Sequence, residues 1–324
     1  MKMVAAHEKI YVRETTGWYA NWRWALVWMT QLVFFGLPWL NWNGYPLLLF
    51  DLAASKFHVF GLLLGPQDSV YLAAWLIIAV LAVCLAMALV GRIWCGFACP
   101  HTVYAEIFMW IERRIEGGRS ARMRLDQAPW SAPKFRKKTL KHGAWVLLSA
   151  WTGLTFVGYF TPIKTVLHDF LTLALGPWQW FGLLAYGALA YANAGWLREQ
   201  VCRHMCPSSH LQRALSDRDT LVVTYDRWRA EPRGLRNAKS RAQNPISGEC
   251  VDCTLCVQVC PGGNDIRQGF DHDCVGCAAC IDACNLVMDK IGAPRGLIRY
   301  ASKRAIERQH RALAVPSTAN GGGK

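Results

Sequence analysis

The chain has 324 residues, 53% of them hydrophobic and 16 of them tryptophan, with a formal charge of +14. That length holds two domains, and the apolar content is high for a soluble protein. A basic surplus of this size suits a nucleic-acid binder or a membrane protein with basic cytoplasmic loops; its confinement to particular loops excludes the nucleic-acid reading.

Four apolar stretches are long enough, or nearly so, to cross a bilayer: roughly Trp24 to Leu40, Val70 to Val90, Ala144 to Phe160 and Trp178 to Leu197. Trp18, Trp22, Trp39 and Trp42 have the placing of interfacial anchors around the first, which lies too far from the N-terminus, without a small-residue cleavage site, to be a signal peptide. A buried core helix is the alternative for any one stretch, but four in series without amphipathic period argue against it. Basic residues crowd the segment between the second and third stretches (Arg92, Arg113, Arg114, Arg122, Lys138 and Lys141 among them) and the segment after the fourth, from Arg198 to Arg233. The two remaining loops hold only Lys56 and Lys164. The positive-inside rule then predicts a multi-pass protein with its N-terminus, middle loop and C-terminal third in the cytoplasm.

The predicted membrane domain, residues 1–225, reads as two helical hairpins, each leading into the same motif: Cys95-x3-Cys99-Pro100 and Cys202-x3-Cys206-Pro207, with Arg92 and Arg198 at the membrane edge. A continuing helix places such cysteines at i and i+4 on one face, and the proline biases it to end there. If the hairpins pack side by side, Cys95, Cys99, Cys202 and Cys206 converge as a copper, zinc, iron–sulfur or redox thiol site, supplemented by His101, His204 or Met205. Simple packing as small apolar residues is the alternative for these four, and the preferred reading for Cys84. His101 to Glu116 reads as an amphipathic helix on the inner leaflet, with Val103, Ile107, Trp110, Ile111 and Ile115 on its apolar side and Glu106, Arg113 and Arg114 opposite; a core helix of the cytoplasmic domain is the alternative. His58 and His168 fall in the outward loops, where a lone histidine ordinarily has no special role and an outer copper or quinone site is the lesser reading.

Residues 226–248, with Pro232, Gly234, Pro245 and several arginines, read as a basic linker. A ferredoxin domain follows over 249–290, and then a tail over 291–324 whose end, Val315 to Lys324, is expected to be disordered. The ferredoxin prediction rests on two cysteine runs. Cys250-x2-Cys253-x2-Cys256-x3-Cys260-Pro261 and Cys274-x2-Cys277-x2-Cys280-x3-Cys284 have the spacing of a module with two [4Fe–4S] clusters. By the crossing rule for such modules, one cluster takes Cys250, Cys253, Cys256 and Cys284, and the other Cys274, Cys277, Cys280 and Cys260. Zinc is the competing metal, though its cysteine pairs ordinarily stand further apart. Disulfides do not suit the reducing compartment that the topology implies.

Three groups of residues carry a family resemblance: Gly91-Arg-Ile-Trp-Cys-Gly-Phe-Ala-Cys-Pro100 with Ile107-Phe-Met-Trp-Ile-Glu-Arg113; Asp252 to Pro261 with Gly276 to Cys284; and Met288-Asp-Lys with Pro294-Arg-Gly-Leu-Ile-Arg-Tyr300. From about Arg13 to Tyr300 the chain resembles the FixG/CcoG family of cytochrome c oxidase accessory proteins, membrane polyferredoxins of bacteria. The resemblance implies two [4Fe–4S] clusters on the eight cysteines. It also implies a place in the inner membrane and reduction of Cu(II) to Cu(I) for assembly of a cbb-type oxidase, with the Cys-x3-Cys-Pro cysteines as the copper or redox thiols. Its partners would be the membrane, a cytoplasmic electron donor and a copper donor or the oxidase assembly machinery. Two departures stand out. The sequence resembles a short form, ending without the family's fifth helix and periplasmic immunoglobulin-like domain, and Pro261-Gly-Gly-Asn-Asp265 replaces a more usual Thr-Gly-Ile pattern beside a cluster. Two rivals share the scaffold: a NapH-like quinol-linked electron carrier, and a non-enzymatic copper chaperone whose clusters are structural.

Overall fold

The structure, a computed structural model, describes residues 10–42, 45–51, 56–59, 62–65, 69–90, 93–206, 220–234, 248–269, 271, 273–302, 304–306 and 308. In chain order its elements are α1 (Trp18–Gly36), β1 (Asn41–Trp42), β2 (Tyr45–Pro46), β3 (Leu48–Asp51), β4 (Lys56–Val59), β5 (Leu62–Leu64), α2 (Ser69–Val90), α3 (Ile93–Phe97), α4 (Pro100–Glu116), α5 (Arg119–Gln127), α6 (Ala132–Val157), α7 (Ile163–Leu171) and α8 (Pro177–Tyr191). Two π-helical turns with α9 (Arg198–Gln200) between them follow, then β6 (Val222–Tyr225), α10 (Arg227–Ala230), α11 (Leu255–Gln258), α12 (Ala279–Ile291) and β7 (Ile298–Ala301). They form two compact units, residues 22–85 with 97–205, and residues 1–21 with 86–96 and 206–324.

In the first of these units α6 covers most of the third apolar stretch and α8 most of the fourth. Proline in the first turn starts α6 and α8, where a missing N–H costs nothing. The Gly176 N–H that opens α8 donates to Gln179 Oε1 at 2.9 Å. The two helices pack closely through glycines: a Cβ on Gly153 would stand 2.4 Å from the Leu183 carbonyl oxygen, and one on Gly187 3.1 Å from that of Ser149. Phe156 and Tyr186 stack across the pair at 4.2 Å. Leu154, Val157, Ile163, Val166, Leu175 and Leu183 form the adjoining core. The strands β3, β4 and β5 make a three-stranded antiparallel sheet in which His58 pairs with Leu49 and Leu63. His58 is therefore in a strand and His168 in the last turn of α7, not in loops.

The amphipathic reading of α4 places the wrong face inside. Glu106, Glu112 and Glu116 are buried with Val103, Phe108 and Met109, whereas Trp110 is exposed. The glutamates are tolerated because each meets cations: Glu106 with Arg23 and Arg113, Glu112 with Arg122 at 3.5 Å and Arg198 at 3.4 Å, Glu116 with Lys138 at 3.0 Å and Lys141 at 2.8 Å. Phe108, Trp145 and Ala194 pack beside this network, and the Trp145 indole N–H donates to the Phe108 carbonyl at 3.2 Å. α4 is therefore a core helix, but of the unit over residues 22–85 and 97–205 and not of the unit that holds the ferredoxin runs.

α6 begins at Ala132, so it includes basic residues that the apolar stretch from Ala144 leaves out. α1 covers most of the first stretch and α2 all of the second. Among the described residues no helix is long and apolar enough to cross a membrane; on α2 the side chains described are those of Val70, Tyr71 and residues 73–85.

The second unit holds both ferredoxin runs. β6 pairs antiparallel with β7, Val222 opposite Ala301 and Tyr225 opposite Ile298. The ferredoxin fold therefore reaches beyond 249–290 on both sides, and the boundaries at 225/226, 248/249 and 290/291 need correction. Part of the predicted linker is folded core: Asp226 is fully buried, ion-paired with Arg299 at 3.3 Å, and Ala230 is buried too. Proline and arginine content imitated a linker there, because the strand pairing that buries it is remote in sequence. Residues 235–247 of the linker, the tail from 309 onward including its predicted disorder, Arg92, Pro207, and the side chains of Arg203 and His204 lie outside the described residues.

Candidate metal centres

The two ferredoxin runs fold as near-repeats. In each, the residue before the second cysteine and the residue after it take left-handed backbone: Asp252 and Thr254 around Cys253, Gly276 and Ala278 around Cys277. Left-handed non-glycine residues cost roughly 1–2 kcal/mol each, a strain that persists where the surroundings hold it, and here it turns the chain tightly around the thiols. α11 then carries Cys256 and α12 carries Cys280 and Cys284.

Cys250, Cys253, Cys256 and Cys284 line one cavity, with Leu255, Val287 and Leu297 among its apolar walls. Cys260, Cys274, Cys277 and Cys280 line a second, walled by Val223, Val275 and Ala278. In each quartet three thiols come from one run and the fourth from the other. Burial pushes Cys256 and Cys260 up to about 11 and Cys284 up to about 12, and raises Cys280 well above the ordinary thiol value. Repulsion within each quartet adds to this: Cys277, Cys274 and Cys260 act on Cys280, and Cys256, Cys250 and Cys253 on Cys284.

Four soft donors forced together in an apolar pocket suit a cationic metal core, which removes both the burial and the repulsion cost of the thiolates. The residues present therefore fit an iron–sulfur cluster in each cavity. The Pro261-Gly-Gly-Asn segment has a role in the second: the backbone N–H groups of Gly262, Gly263 and Asn264 favour the Cys260 thiolate against its burial, and that of Gly263 donates to the Cys260 carbonyl at 3.2 Å. Hydrogen bonds to cluster sulfurs tune reduction potential.

The Cys-x3-Cys-Pro motifs are built differently from expectation. Cys95 lies on α3, but Cys99 is extended (φ −62°, ψ 126°) and Pro100 opens α4, so the pair does not share a helix face. The residue before a proline is driven out of helical geometry, and proline is favoured as a first helical residue. Cys202 sits in a π-helical turn, Val201–Met205, with Cys206 directly after it. Cys95 and Cys206 belong to the unit with the quartets, Cys99 and Cys202 to the other. His101 Nε2 donates to the Arg198 carbonyl at 2.9 Å, and Met205 is exposed. Cys84 is half-buried on α2 and His168 is exposed beside Asp169.

A paired-strand scaffold with two cysteine quartets defines a ferredoxin-type protein with two iron–sulfur centres. The chain matches the 4Fe-4S dicluster domain family over residues 197–303 and the 4Fe-4S binding domain family over residues 72–117, the second match taking in Cys95 and Cys99. It is 40% identical to nitrogen fixation protein FixG of Rhizobium meliloti over 299 residues, 91% of this chain and 57% of that protein. It is also 40% identical to protein RdxB of Cereibacter sphaeroides over 303 residues, 92% of this chain and 63% of that protein. The chain is similar to these FixG-type proteins and spans about 57–63% of their length. Ferredoxin-type protein NapH of Escherichia coli is 26% identical over 195 residues, 53% of this chain and 61% of that protein. No solved structure matches the chain.

Proposed function

We propose that the protein is a membrane-bound iron–sulfur electron carrier that reduces Cu(II) to Cu(I) at the thiols of its Cys-x3-Cys-Pro motifs, in support of cbb-type oxidase assembly. The observation that carries this reading is the pair of cysteine quartets, one around each cavity, in a unit that also contains Cys95 and Cys206. Bound at the quartets, [4Fe–4S] clusters would supply one-electron storage. The chain's own residues position and insulate them, with Leu297, Val223 and their neighbours excluding water. Copper enters as substrate, and soft thiolates favour Cu(I) over Cu(II), so Cys95, Cys99, Cys202 and Cys206 pull the reduction toward product.

Membrane attachment is supported by large apolar side chains pointing outward on the four helices over the apolar stretches: Leu32 on α1 (71% exposed), Trp75 on α2 (75%), Leu147 on α6 (73%) and Trp178 on α8 (84%). Outward apolar side chains of this kind suit lipid. The ferredoxin unit then lies in the cytoplasm of a bacterial inner membrane, facing a soluble electron donor. Reporter fusions after Gly118 and Asp226 should read cytoplasmic, and one near Leu52 periplasmic.

Anaerobically purified protein, reduced with dithionite and then freed of excess reductant, should reduce Cu(II). Serine at Cys95, Cys99, Cys202 or Cys206 should cut that rate while the iron content stays normal. Full copper reduction in all four variants overturns the role of these thiols. The weaker similarity to NapH supports a second reading, a quinol-linked carrier, which requires electron exchange with quinol and no dependence on copper.

A further inference from the structure

Gly96 is the residue after Cys95, and Gly276 the residue before Cys277 of the second quartet. The two backbones touch. A Cβ on Gly96 would stand 2.7 Å from both the carbonyl carbon and oxygen of Gly276 and 2.8 Å from the Cys277 Cα, closer than side-chain carbons approach other atoms. Only glycine fits at 96, and Gly276 itself is left-handed, with φ +68°. The Gly276 carbonyl also accepts the Tyr300 hydroxyl, so this peptide is held from two sides. Ile93, three residues before Gly96, lines a small cavity with Cys274, Gly276 and Tyr300. With a trans peptide spanning ~3.8 Å, the Cα atoms of Cys95 and Cys277 are within roughly 8 Å of each other.

We propose that Gly96 is a positioning residue that seats Cys95 on the loop of the second quartet. Cys95 is thereby coupled electrically to the centre formed by Cys260, Cys274, Cys277 and Cys280, and not to the one formed by Cys250, Cys253, Cys256 and Cys284. The inference rests on the reading of the quartets as cluster ligands, and it names the quartet that serves the copper thiols.

The test is a redox titration of the full-length, anaerobically purified protein, followed by EPR. Cys253→Ser and Cys277→Ser variants identify which signal belongs to which quartet. Cys95→Asp places a negative charge beside the second quartet and should lower the midpoint potential of that centre alone. Gly96→Ala should alter the EPR signal of the same centre and slow Cu(II) reduction several-fold with both clusters present. Equal shifts in both centres, a shift confined to the first, or no shift with Cys95→Asp would each overturn the proposal. If Gly96→Ala fails to assemble clusters, the Cys95→Asp titration alone decides. A wild-type protein that does not reduce Cu(II) removes the copper reading, while the potentials still judge the coupling independently.

Discussion

The Asp282 carboxylate accepts the backbone N–H of Ala20 at 2.7 Å and that of Tyr19 at 3.3 Å, tying the first turn of α1 to the cluster-bearing helix α12. A helix start has unsatisfied N–H groups and a positive dipole end, and a carboxylate answers both. Asp282 is only 4% exposed, and Gly17 allows its approach, since a Cβ there would stand 2.4 Å from the Asp282 carboxyl carbon. Asp282→Ala should destabilise the protein by about 1–3 kcal/mol, and Asp282→Asn by less, because one acceptor remains. Amide hydrogen exchange at Tyr19 and Ala20 reads the local effect; unchanged protection in Asp282→Ala would show that these bonds are not formed in solution.

Iron content tests the quartets. Anaerobic protein should hold about eight irons, as two four-iron clusters require. Cys253→Ser and Cys277→Ser should each lose or cripple one cluster and leave the other detectable by EPR. Stoichiometric zinc in natively expressed protein would refute the ligand assignment, and loss of both clusters in each variant would refute the independence of the two sites.

The α6–α8 contact should be the most sensitive packing site in its unit. Gly153→Val must push its new atoms against the Leu183 carbonyl, an overpacking cost of about 1–3 kcal/mol, whereas Gly187→Ala, with 3.1 Å to the Ser149 oxygen, should cost less. Thermal unfolding in detergent compares the two. A Gly153→Val protein as stable as wild type would mean that the helices pack more loosely than described here.

The cysteine runs were legible because their spacing reflects local chemistry: each loop needs its thiols at fixed intervals whatever the rest of the chain does. Asp282, Gly96 and Gly276 were not, because their roles depend on partners far away in sequence. The pairing of Tyr225 with Ile298 stayed hidden for the same reason, which is why a folded segment at Asp226 to Ala230 passed for linker. α4 misled for a different reason. Amphipathic patterning treats glutamate as a surface residue, and Glu112 and Glu116 violate that only because Arg122, Lys138, Lys141 and Arg198 come from other elements to meet them. The helices over the apolar stretches were legible in existence and imprecise at their ends, as with the start of α6 at Ala132.

Those four cations have two employments separated in time. On the membrane topology proposed above, Arg122, Lys138, Lys141 and Arg198 act during insertion as mobile positive charges that hold their segments on the cytoplasmic side. After folding they are internal ties around Glu112 and Glu116. A substitution at any of them therefore strikes twice, once at biogenesis and once in the finished protein. Arginine-for-lysine exchange at Lys141, which keeps the charge but not its shape, separates the stages: orientation survives, and the buried packing against Glu116 and Trp145 suffers.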